Sequence, residues 1–289
     1  MHRVMVLGST GMLGSAVYRE LASAGLQVIE ASRTRGLKFD ARELESRDLI
    51  QTGGLEVGDY IVNCVGLTKS RIDEESIESR ALAIRLNVEF PNNLALAAQN
   101  SGVRVIQVAT DCVFSGTVGS YSETAKHDAE DVYGKTKSLG ETPSNAVMHL
   151  RCSLIGPERG RSSLLFEWVR QQTHGASIRG FTNHIWNGLT SDVFGQIVSG
   201  IVKEGLFTSG VQHLVPGDKV SKDQLVRLAL AALGRSDVKV SSVDAPYEVD
   251  RTLSTQNAQK NLKLFAAAGY KKPPTIAQMV TRLCSELAD

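Results

Sequence analysis

The chain has 289 residues, of which 42% are hydrophobic and 22% charged, a composition typical of a globular protein that buries its own core. Its 32 Lys and Arg residues are balanced by 31 Asp and Glu residues, which argues against a broad nucleic-acid-binding surface. The sequence has no apolar run of the roughly 18 residues that a membrane span needs and no signal-peptide pattern, so we expect a cytoplasmic protein.

A short apolar run and a glycine-rich loop open the chain. Val4 to Leu7 predicts a buried strand, and apolar residues recur at helical spacing from Met12 onwards. The loop between them has GxxGxxG spacing, in which glycines let backbone N–H groups approach a pyrophosphate at a helix N-terminus. A plain tight turn is the alternative interpretation. The residues that we expect to bind a dinucleotide here are Gly8, Thr10, Gly11, Met12, Leu13 and Gly14.

The second predicted strand, Gln27 to Ala31, leads to the adenosine end of such a site. An NAD-specific site usually carries an acidic residue at the end of this strand, but Glu30 lies early for that role. Ser32 and Arg33 instead stand where a 2′-phosphate would lie, and arginine suits phosphate recognition. We therefore predict that NADP(H) is preferred over NAD(H), with Asp40 accepting a hydrogen bond from the adenine. A solvated loop charge is the alternative for Arg33.

Further apolar strands alternate with helices through the first half of the chain. They are predicted at Tyr60 to Val65, Val103 to Val108 and Val147 to Leu150, with a long helix from about Glu78 to Asn100. Apolar strands separated by helices indicate a parallel sheet that is covered on both faces. The sequence therefore predicts an α/β fold with a Rossmann-type, doubly wound parallel sheet.

A YxxxK pattern lies on the helix expected around Tyr133. Tyr133 and Lys137 are four residues apart and share one helix face. An ammonium group near a phenol lowers its pKa from about 10, and Lys137 can also bind the nicotinamide ribose. Thr110 follows the strand that ends at Val108, and ligands gather at the carboxyl ends of parallel strands. We expect Thr110, Tyr133 and Lys137 to meet in one cleft, with Tyr133 as the catalytic acid/base.

The second half is less regular and predicts a smaller C-terminal substrate-binding domain. Apolar stripes indicate helices at Ser162 to Gln172, from near Thr190, and around Ile276 to Leu283, while His213 to Val215 predicts a short strand. Residues 1–155, with a return segment at about 188–216, form the expected dinucleotide-binding domain. Residues 156–187 and 217–289 form the expected substrate-capping domain, with substrate in the cleft between the two.

Several of these segments together resemble the extended short-chain dehydrogenase/reductase superfamily. The likeness lies in the Gly8 to Gly14 loop, the tripeptide Asn63-Cys64-Val65, the run TDCVFSG from Thr110 and the run YGKTK from Tyr133. TDxVFxG followed by YGxxK most resembles the dTDP-4-dehydrorhamnose reductase group. The resemblance covers residues 1–157 well and is weaker afterwards.

The resemblance implies a reaction and a set of site residues. The substrate would be a nucleotide-linked 6-deoxyhexose whose C4 keto group accepts hydride from the nicotinamide, as in deoxysugar and polysaccharide biosynthesis. Tyr133 would protonate the alkoxide, Thr110 would hydrogen-bond the carbonyl oxygen, and Asn63, Cys64 and Val65 would line the cofactor. The residues implied to face the substrate are Asp111, Cys112, Val113, Phe114, Leu154, Asn183 and Trp186.

The chain departs from the family pattern at two of these positions. Family members typically have Tyr at the position of Cys112 and Trp at the position of Leu154, so the identity of the sugar stays open. A 4,6-dehydratase is disfavoured, because such enzymes usually have Glu where this chain has Cys112. The sequence also leaves the oligomeric state open, with a homodimer as the expectation.

Two other functions remain open. An epimerase would use the same Tyr and Lys with tightly bound NAD, although Ser32 and Arg33 favour a reductase. A non-catalytic NADP-sensing or partner-binding protein could keep the fold, but such relatives generally lose the Tyr or the Lys. The four cysteines form no CxxC pair and no two histidines have metal-ligand spacing, so we expect no catalytic metal.

Overall fold

The computed structural model describes residues 2–43, 46–158 and 164–288, and alternates strands with helices. The strands, in chain order, are β1 Arg3–Leu7, β2 Gln27–Ser32, β3 Leu37–Lys38, β4 Tyr60–Asn63, β5 Arg104–Ala109, β6 Val147–Arg151, β7 Leu154–Ile155, β8 Ser177–Phe181, β9 His184–Trp186, β10 Leu189–Thr190, β11 Gly210–His213, β12 Val220–Ser221, β13 Lys239–Val243 and β14 Val249–Asp250. The helices are α1 Met12–Ser23, α2 Ser46–Thr52, α3 Ile77–Ile84, α4 Phe90–Ser101, α5 Val132–Leu139, α6 Leu165–Arg170, α7 Ser191–Glu204, α8 Lys222–Ala232, α9 Ala258–Ala267 and α10 Ile276–Ala288.

A seven-stranded parallel sheet forms the larger part of the molecule. Its strand order is β11-β6-β5-β4-β1-β2-β3, and every neighbouring pair is parallel. The central strands β1 and β4 are completely buried from Val4 to Leu7 and from Tyr60 to Asn63, as expected for a sheet covered by helices on both faces. The predicted Rossmann-type sheet is therefore confirmed. The strand order reverses between β1 and β4, where the fold places its ligand crevice.

Three small sheets belong to the second half of the chain. β7 pairs with β10, β8 with β13, and β9 lies between β12 and β14. Helix α8 lies against β8 and α6, and α10 lies against α8. One apolar cluster extends from β1 through α7 to Met279 and Leu283 of α10, so both halves share a core. The predicted division at about residues 155 and 216 stays a proposal.

Most predicted elements lie within a few residues of the observed ones. The long helix around 78–100 consists of α3 and α4, joined by a π-helical turn at Arg85–Glu89. The capping box before α8 is present, with Ser221 and Gln224 each bonded to the other's backbone N–H. The strand predicted at His213 to Val215 is instead β11, Gly210–His213, because pairing with β6 fixes its register. Of the helix predicted at 162–172, residues 162 and 163 lie outside the described residues, and α6 begins at Leu165.

Candidate active site

The glycine loop brings β1, β2 and α1 close together at the strand-order reversal. Gly8 has φ +74° and donates its N–H to Ala31 O at 2.9 Å. A Cβ on Gly14 would lie 2.2 Å from Gly8 O, so only glycine lets α1 begin this close to the strand. Helix α1 begins after Gly11 with no side-chain cap. The backbone N–H groups of its first turn therefore remain available to an anion such as a pyrophosphate.

The adenosine end of this crevice carries a basic turn after β2. Ser32 is buried, and its Oγ accepts from Arg35 N at 2.8 Å, so it shapes the turn. Arg33 is exposed on the same turn. Asp40 is held by Arg42 through two bonds to Nε at 2.9 and 3.0 Å, and these bonds lower its pKa. Asp40 is predicted to accept from the adenine, but in the structure its carboxylate is engaged by Arg42, a residue that no sequence pattern singles out.

The end of β4 forms the other wall beside Gly8. Asn63 is buried; its Oδ1 accepts from Val65 N at 3.0 Å and its Nδ2 donates to Gln107 at 2.9 Å. A Cβ on Gly8 would lie 3.3 Å from Val65 and 3.4 Å from the Cys64 backbone, which shows how closely these segments approach. Burial raises the pKa of the Cys64 thiol to about 12. The Cys64 thiol is therefore neutral at this wall, next to Val65. Asn63 lies behind these two residues and holds the Val65 backbone through its side-chain oxygen.

Thr110 and Tyr133 meet at the carboxyl end of β5. Thr110 caps a single 3₁₀ turn at Asp111–Val113, where its Oγ1 accepts from Cys112 N at 3.2 Å. The same hydroxyl donates to Asp111 Oδ1 at 3.2 Å, and Gly134, next to Tyr133, packs against this turn so closely that a Cβ would lie 2.4 Å from Cys112 O. Asp131 caps α5 by accepting from Gly134 N at 2.7 Å, which fixes the helix turn that carries Tyr133. The predicted convergence of Thr110 and Tyr133 is thus present in the structure.

The electrostatics of this pair differ from the sequence expectation. Burial raises the pKa of Tyr133, and the neighbouring Cys112 raises it further, while the hydrogen bond from Thr110 opposes the shift. Burial also lowers the pKa of Lys137. The Lys137 ammonium donates to Val108 O at 2.9 Å, and burial outweighs any cation in setting the pKa of the phenol, which is raised where the sequence analysis predicted a lowered value. Tyr133 is consequently protonated near neutral pH, as a proton donor must be.

Asn87 connects this group to the β4 loop and was not selected from the sequence. It lies in the π-helical turn between α3 and α4 and is 2% exposed. Its side chain accepts from Leu67 N at 2.8 Å and donates to Leu67 O at 3.0 Å and to Thr136 Oγ1 at 3.2 Å. Asn87 therefore clamps the loop after Cys64 to helix α5. The local sequence carries no signal of the π turn that points it inwards.

The predicted substrate residues after Thr110 have different environments. Asp111 is 7% exposed, and burial raises the pKa of its carboxyl group. Cys112 is half-buried beside it, with Sγ 3.7 Å from Asp111 Oδ1, and burial raises the pKa of its thiol to about 12. Val113 and Phe114 are completely buried in a small cluster with Tyr121 and Leu253. Their side chains pack in this core instead of facing the cleft.

The other predicted substrate residues lie in the second half. Leu154 is half-buried in β7. The Asn183 amide is used on the backbone of Ala245, donating to its O at 2.9 Å and accepting from its N at 2.8 Å. Trp186 is 4% exposed and donates to Ser153 Oγ at 2.8 Å. The structure thus gives Asn183 and Trp186 positioning contacts, and substrate contact by any of the three stays a prediction.

Two cations close to Asp111 complete the cleft. Burial raises the pKa of Asp111, and the positive charges of Arg251 and Lys222 act against that rise. Arg251 Nε donates to Phe114 O at 2.8 Å, and Lys222 Nζ lies 5.2 Å from the centre of the Trp186 ring. Neither residue belongs to a motif that is recognisable in the sequence. A signal existed for Lys222, because a cation in the first turn of a helix opposes the helix dipole and calls for another reason to be there.

A cavity of about 270 Å³ lies between α6, β8, β9 and α8. Trp168 and Phe181 supply aromatic walls, and Arg179, His184 and Lys222 supply polar groups. An apolar cavity with a few cationic groups fits a planar ring that carries a phosphate. Lys222 lines this cavity and also lies over the Trp186 ring, so the cavity extends to the N-terminus of α8.

Comparisons with known proteins identify the family and the fold of the chain. The family model described as the RmlD substrate binding domain matches residues 1–288. Methionine adenosyltransferase 2 subunit beta of Xenopus tropicalis is 31% identical over 153 residues, 51% of this chain and 43% of that protein. dTDP-4-dehydrorhamnose reductase of Mycobacterium tuberculosis is 29% identical over 145 residues, 48% of this chain and 44% of that protein. The matched segments thus span less than half of these curated relatives.

A solved structure shows the same fold over the whole chain. The dTDP-4-dehydrorhamnose reductase of Bacillus anthracis in complex with NADP superposes with a TM-score of 0.80 at 18% identity, covering 99% of each chain. Among the described residues, no helix is long and apolar enough to cross a membrane. The same residues contain no group of three or more His, Cys, Asp or Glu side chains that could hold a metal ion.

Proposed function

The chain belongs to the family of the RmlD substrate binding domain, and from this premise we propose that it is an NADPH-dependent reductase of a nucleotide-linked 4-keto (deoxy)hexose. One observation carries the proposal: the helix turn of Tyr133 is packed against the carboxyl end of β5, because Lys137 donates to Val108 O at 2.9 Å and a Cβ on Gly134 would lie only 2.4 Å from Cys112 O, beside Thr110. A protonated phenol and a hydroxyl group aimed at one point suit a carbonyl oxygen that gains negative charge.

The glycine loop supports a dinucleotide as the cofactor. The close approach of α1 to the glycine loop that Gly14 permits, and the uncapped N-terminus of α1, fit a pyrophosphate. Cys64 and Val65 would border the nicotinamide half, and Ser32 and Arg33 the adenosine half, where the exposed guanidinium favours a 2′-phosphate. When bound, the reduced cofactor supplies hydride. The NADP complex of the Bacillus anthracis protein supports the same choice of cofactor.

The residues of this chain would handle the proton and the orientation of the substrate. Thr110 would hold the carbonyl oxygen, and Tyr133 would give its phenolic proton to that oxygen as the alkoxide forms. Lys137 is fixed by Val108 O at 2.9 Å and would stabilise the phenolate that remains. Asn87 would hold the loop after β4 and helix α5 in fixed positions while the proton is transferred.

The cavity beside α8 would hold the nucleotide end of the substrate. Trp168 and Phe181 offer flat apolar surfaces for a base, and His184 lies 5.1 Å from the Phe181 ring. This arrangement leaves the sugar between the cavity and Tyr133, beside Cys112 and Leu154. We further propose the division into a dinucleotide-binding and a substrate-capping domain, a cytoplasmic location and a homodimer.

The decisive test is oxidation of NADPH and NADH against a panel of nucleotide-linked 4-keto sugars. The proposal expects turnover with at least one sugar nucleotide and a higher kcat/KM with NADPH. Protein that carries bound NAD and interconverts two sugars with no net cofactor turnover would point to an epimerase. Tight NADP binding without turnover of any sugar would contradict a catalytic role and favour a binding protein.

A further inference from the structure

Arg151 is a buried cation at the end of β6 that takes no part in the proposed proton transfer. It is 1% exposed, and its guanidinium carbon lies 5.2 Å from the centre of the Phe114 ring. The Glu141 carboxylate accepts from its Nε at 3.1 Å and also from its Nη2, so the positive charge is paired. The other N–H groups of a buried guanidinium need acceptors as well.

Two histidines supply these acceptors. Arg151 Nη1 donates to His213 Nε2 at 2.6 Å, and Nη2 donates to His127 Nε2 at 2.9 Å. Because a guanidinium can only donate, neither Nε2 atom carries a hydrogen, and the proton of each neutral ring lies on Nδ1. His213 therefore donates its Nδ1–H to Ser254 O at 2.7 Å. His127 donates its Nδ1–H to Ser138 Oγ at 2.7 Å.

The contact from His127 ends on the helix that carries Tyr133. Ser138 directly follows Lys137 in α5, and Glu141 lies just beyond the end of this helix. Arg151 therefore holds the C-terminal end of α5 at two points, through the Glu141 carboxylate and through the His127 ring. Because Lys137 lies in this last turn, the position of its ammonium group depends on both contacts.

We propose that neutral His127 is a positioning residue that fixes the last turn of α5, and that it releases this turn when its Nε2 gains a proton. The effect on turnover rests on the proposed function, in which Lys137 stabilises the phenolate. A proton on Nε2 would point at the Arg151 guanidinium across 2.9 Å, so a protonated ring must leave that contact. Acidification then lowers turnover through a side chain that takes no part in the proton transfer.

The groups around His127 keep the ring neutral near pH 7. Burial lowers its pKa; Glu141, with Oε2 3.8 Å from Nε2, raises it, Arg151 lowers it and Asp128 raises it, and the net effect is a lowered value. His127 is half-buried whereas His213 is completely buried, so solvent protons reach His127 more readily. The ring therefore gains its proton only as the pH falls through a pKa below about 6.5.

Nuclear magnetic resonance of the isotope-labelled protein tests the tautomers without cofactor or substrate. Near neutral pH, His127 and His213 should each show a protonated Nδ1 and an unprotonated Nε2. His149 gives the opposite pattern in the same spectrum, because its Nε2 lies 2.9 Å from Thr142 O and must carry the proton. On acidification, the His127 ring signals and the backbone amide signals of the last turn of α5 should shift with one midpoint. Ser138→Ala should remove the shift of the helix but keep that of the ring.

Turnover assays connect this titration to the reaction. In the parent protein, kcat should fall by up to about tenfold for each pH unit below the pKa of His127, because one proton inactivates the enzyme. His127→Gln keeps an acceptor for Arg151 but neither titrates nor reaches Ser138, and Ser138→Ala keeps the titrating ring. Both should lose this acid limb and lower kcat near pH 7 by about fivefold, the effect of one hydrogen bond. His174→Gln, at an exposed histidine, is the matched control and should keep the limb. A separate acid limb from Asp111, whose pKa is raised by burial, would persist in every variant.

The outcomes separate the role of His127 from the reductase function. The expected tautomers, together with an acid limb that is lost in His127→Gln and in Ser138→Ala, support the proposal. A proton on Nε2 of His127 near neutral pH, or an acid limb that persists in either variant, overturns it. If His127→Gln does not fold, the spectra of the parent protein and of Ser138→Ala still decide. Because these spectra need no turnover, a helix shift that follows His127 in a protein that reduces no sugar would support the role of His127 while the reductase proposal fails.

Discussion

The proposed dinucleotide face and the proposed substrate face of the cleft are built in different ways. The dinucleotide face consists of the Gly8 loop, the end of β4 and helix α5, each directly following or flanking neighbouring strands of one parallel sheet. The substrate face is assembled from loop 111–124 and a strap at residues 250–256. Tyr121 N donates to Thr252 O at 2.9 Å and Ser254 N donates to Tyr121 O at 2.8 Å, across more than a hundred residues.

This difference separates two requirements of the proposed reaction. Proton transfer needs groups whose distances are set within tenths of an ångström, which strand ends of a buried sheet provide. Substrate choice needs only that the strap and α8 present suitable side chains, so it can change without disturbing the sheet. We therefore expect substitutions on the dinucleotide face to alter kcat or cofactor binding, and those on the substrate face to alter specificity.

The largest expected effect tests the catalytic edge of the dinucleotide face. Tyr133→Phe removes the proton donor but keeps the ring that fills the buried site. Loss of such a group typically costs about 3–4 kcal/mol in the barrier, so kcat should fall by about 10²–10³-fold while NADPH affinity stays nearly unchanged. Steady-state turnover and cofactor titration measure the two quantities, with Tyr18→Phe on α1 as the control. Full activity would remove Tyr133 from the mechanism.

The same division explains what could be predicted from the sequence. Gly8, Thr110, Tyr133 and Lys137 lie in short patterns next to strands, and parallel strands bring their carboxyl ends to one edge whatever the details of packing. Arg251 reaches Phe114 O because the strap docks on loop 111–124, and Lys222 is placed by the pairing of β12 with β9; no local pattern encodes either contact. The burial that raises the pKa of Tyr133 also depends on this tertiary packing.

Two predicted substrate residues show why a sequence motif alone does not tell which side chains face the ligand. Val113 and Phe114 belong to the TDCVFSG run, but the stacking of Phe114 on Tyr121, with ring centres 4.2 Å apart, takes it into a separate small core. The motif is thus partly a packing motif that anchors the strap. A pattern shared with a family identifies positions, but only the fold tells whether a side chain at that position faces ligand or core.

A pH titration tests the contact between the strap and the parallel sheet, which runs through His213. Arg151, 1% exposed, donates to His213 Nε2 at 2.6 Å and to His127 Nε2 at 2.9 Å, and His213 bonds Ser254 O of the strap at 2.7 Å. Burial lowers the pKa of His213 to about 4, with Arg151 adding to the shift. Between about pH 6.5 and 4 the unfolded chain therefore binds a proton that the folded chain does not.

It follows that the free energy of unfolding falls as pH drops through this window and is fully recovered above about pH 6.5. The contribution of His213 is about 3 kcal/mol at most, from about 1.4 kcal/mol per pKa unit. His213→Gln can still accept from Arg151 but does not titrate, so its stability should depend less on pH. Urea unfolding of both proteins between pH 4 and 7 measures the difference, since the carboxylates titrate alike in each. Equal slopes would show that His213 does not couple the strap to the sheet.

A smaller change tests how tightly the dinucleotide face is built. Gly14→Ala places a Cβ 2.2 Å from Gly8 O, so α1 must move away from the loop. We expect a loss of about 1–3 kcal/mol in stability, together with weaker NADPH binding. Gly11→Ala is the control for stability, because its Cβ would lie 3.3 Å from the same carbonyl and its φ is −75°. Comparable unfolding midpoints for the two variants would mean that the close approach of α1 is not required.

The smallest expected effect concerns the adenosine end, where the dinucleotide face is least enclosed. Arg33 is exposed, so its contact with a 2′-phosphate would be partly screened by solvent and salt. Arg33→Ala should therefore raise the Kd for NADPH by about tenfold, equivalent to about 1.4 kcal/mol, and leave the Kd for NADH unchanged. Arg35→Ala is the matched variant, because Arg35 lies on the same turn but is 4.0 Å from Glu30. Fluorescence titration of both cofactors gives the comparison. An equal loss of affinity for NADPH and NADH would indicate that Arg33 contacts the pyrophosphate, which both cofactors share. No loss of affinity for either cofactor would indicate that Arg33 lies in bulk solvent. In both cases the predicted preference for NADP(H) would lose its basis.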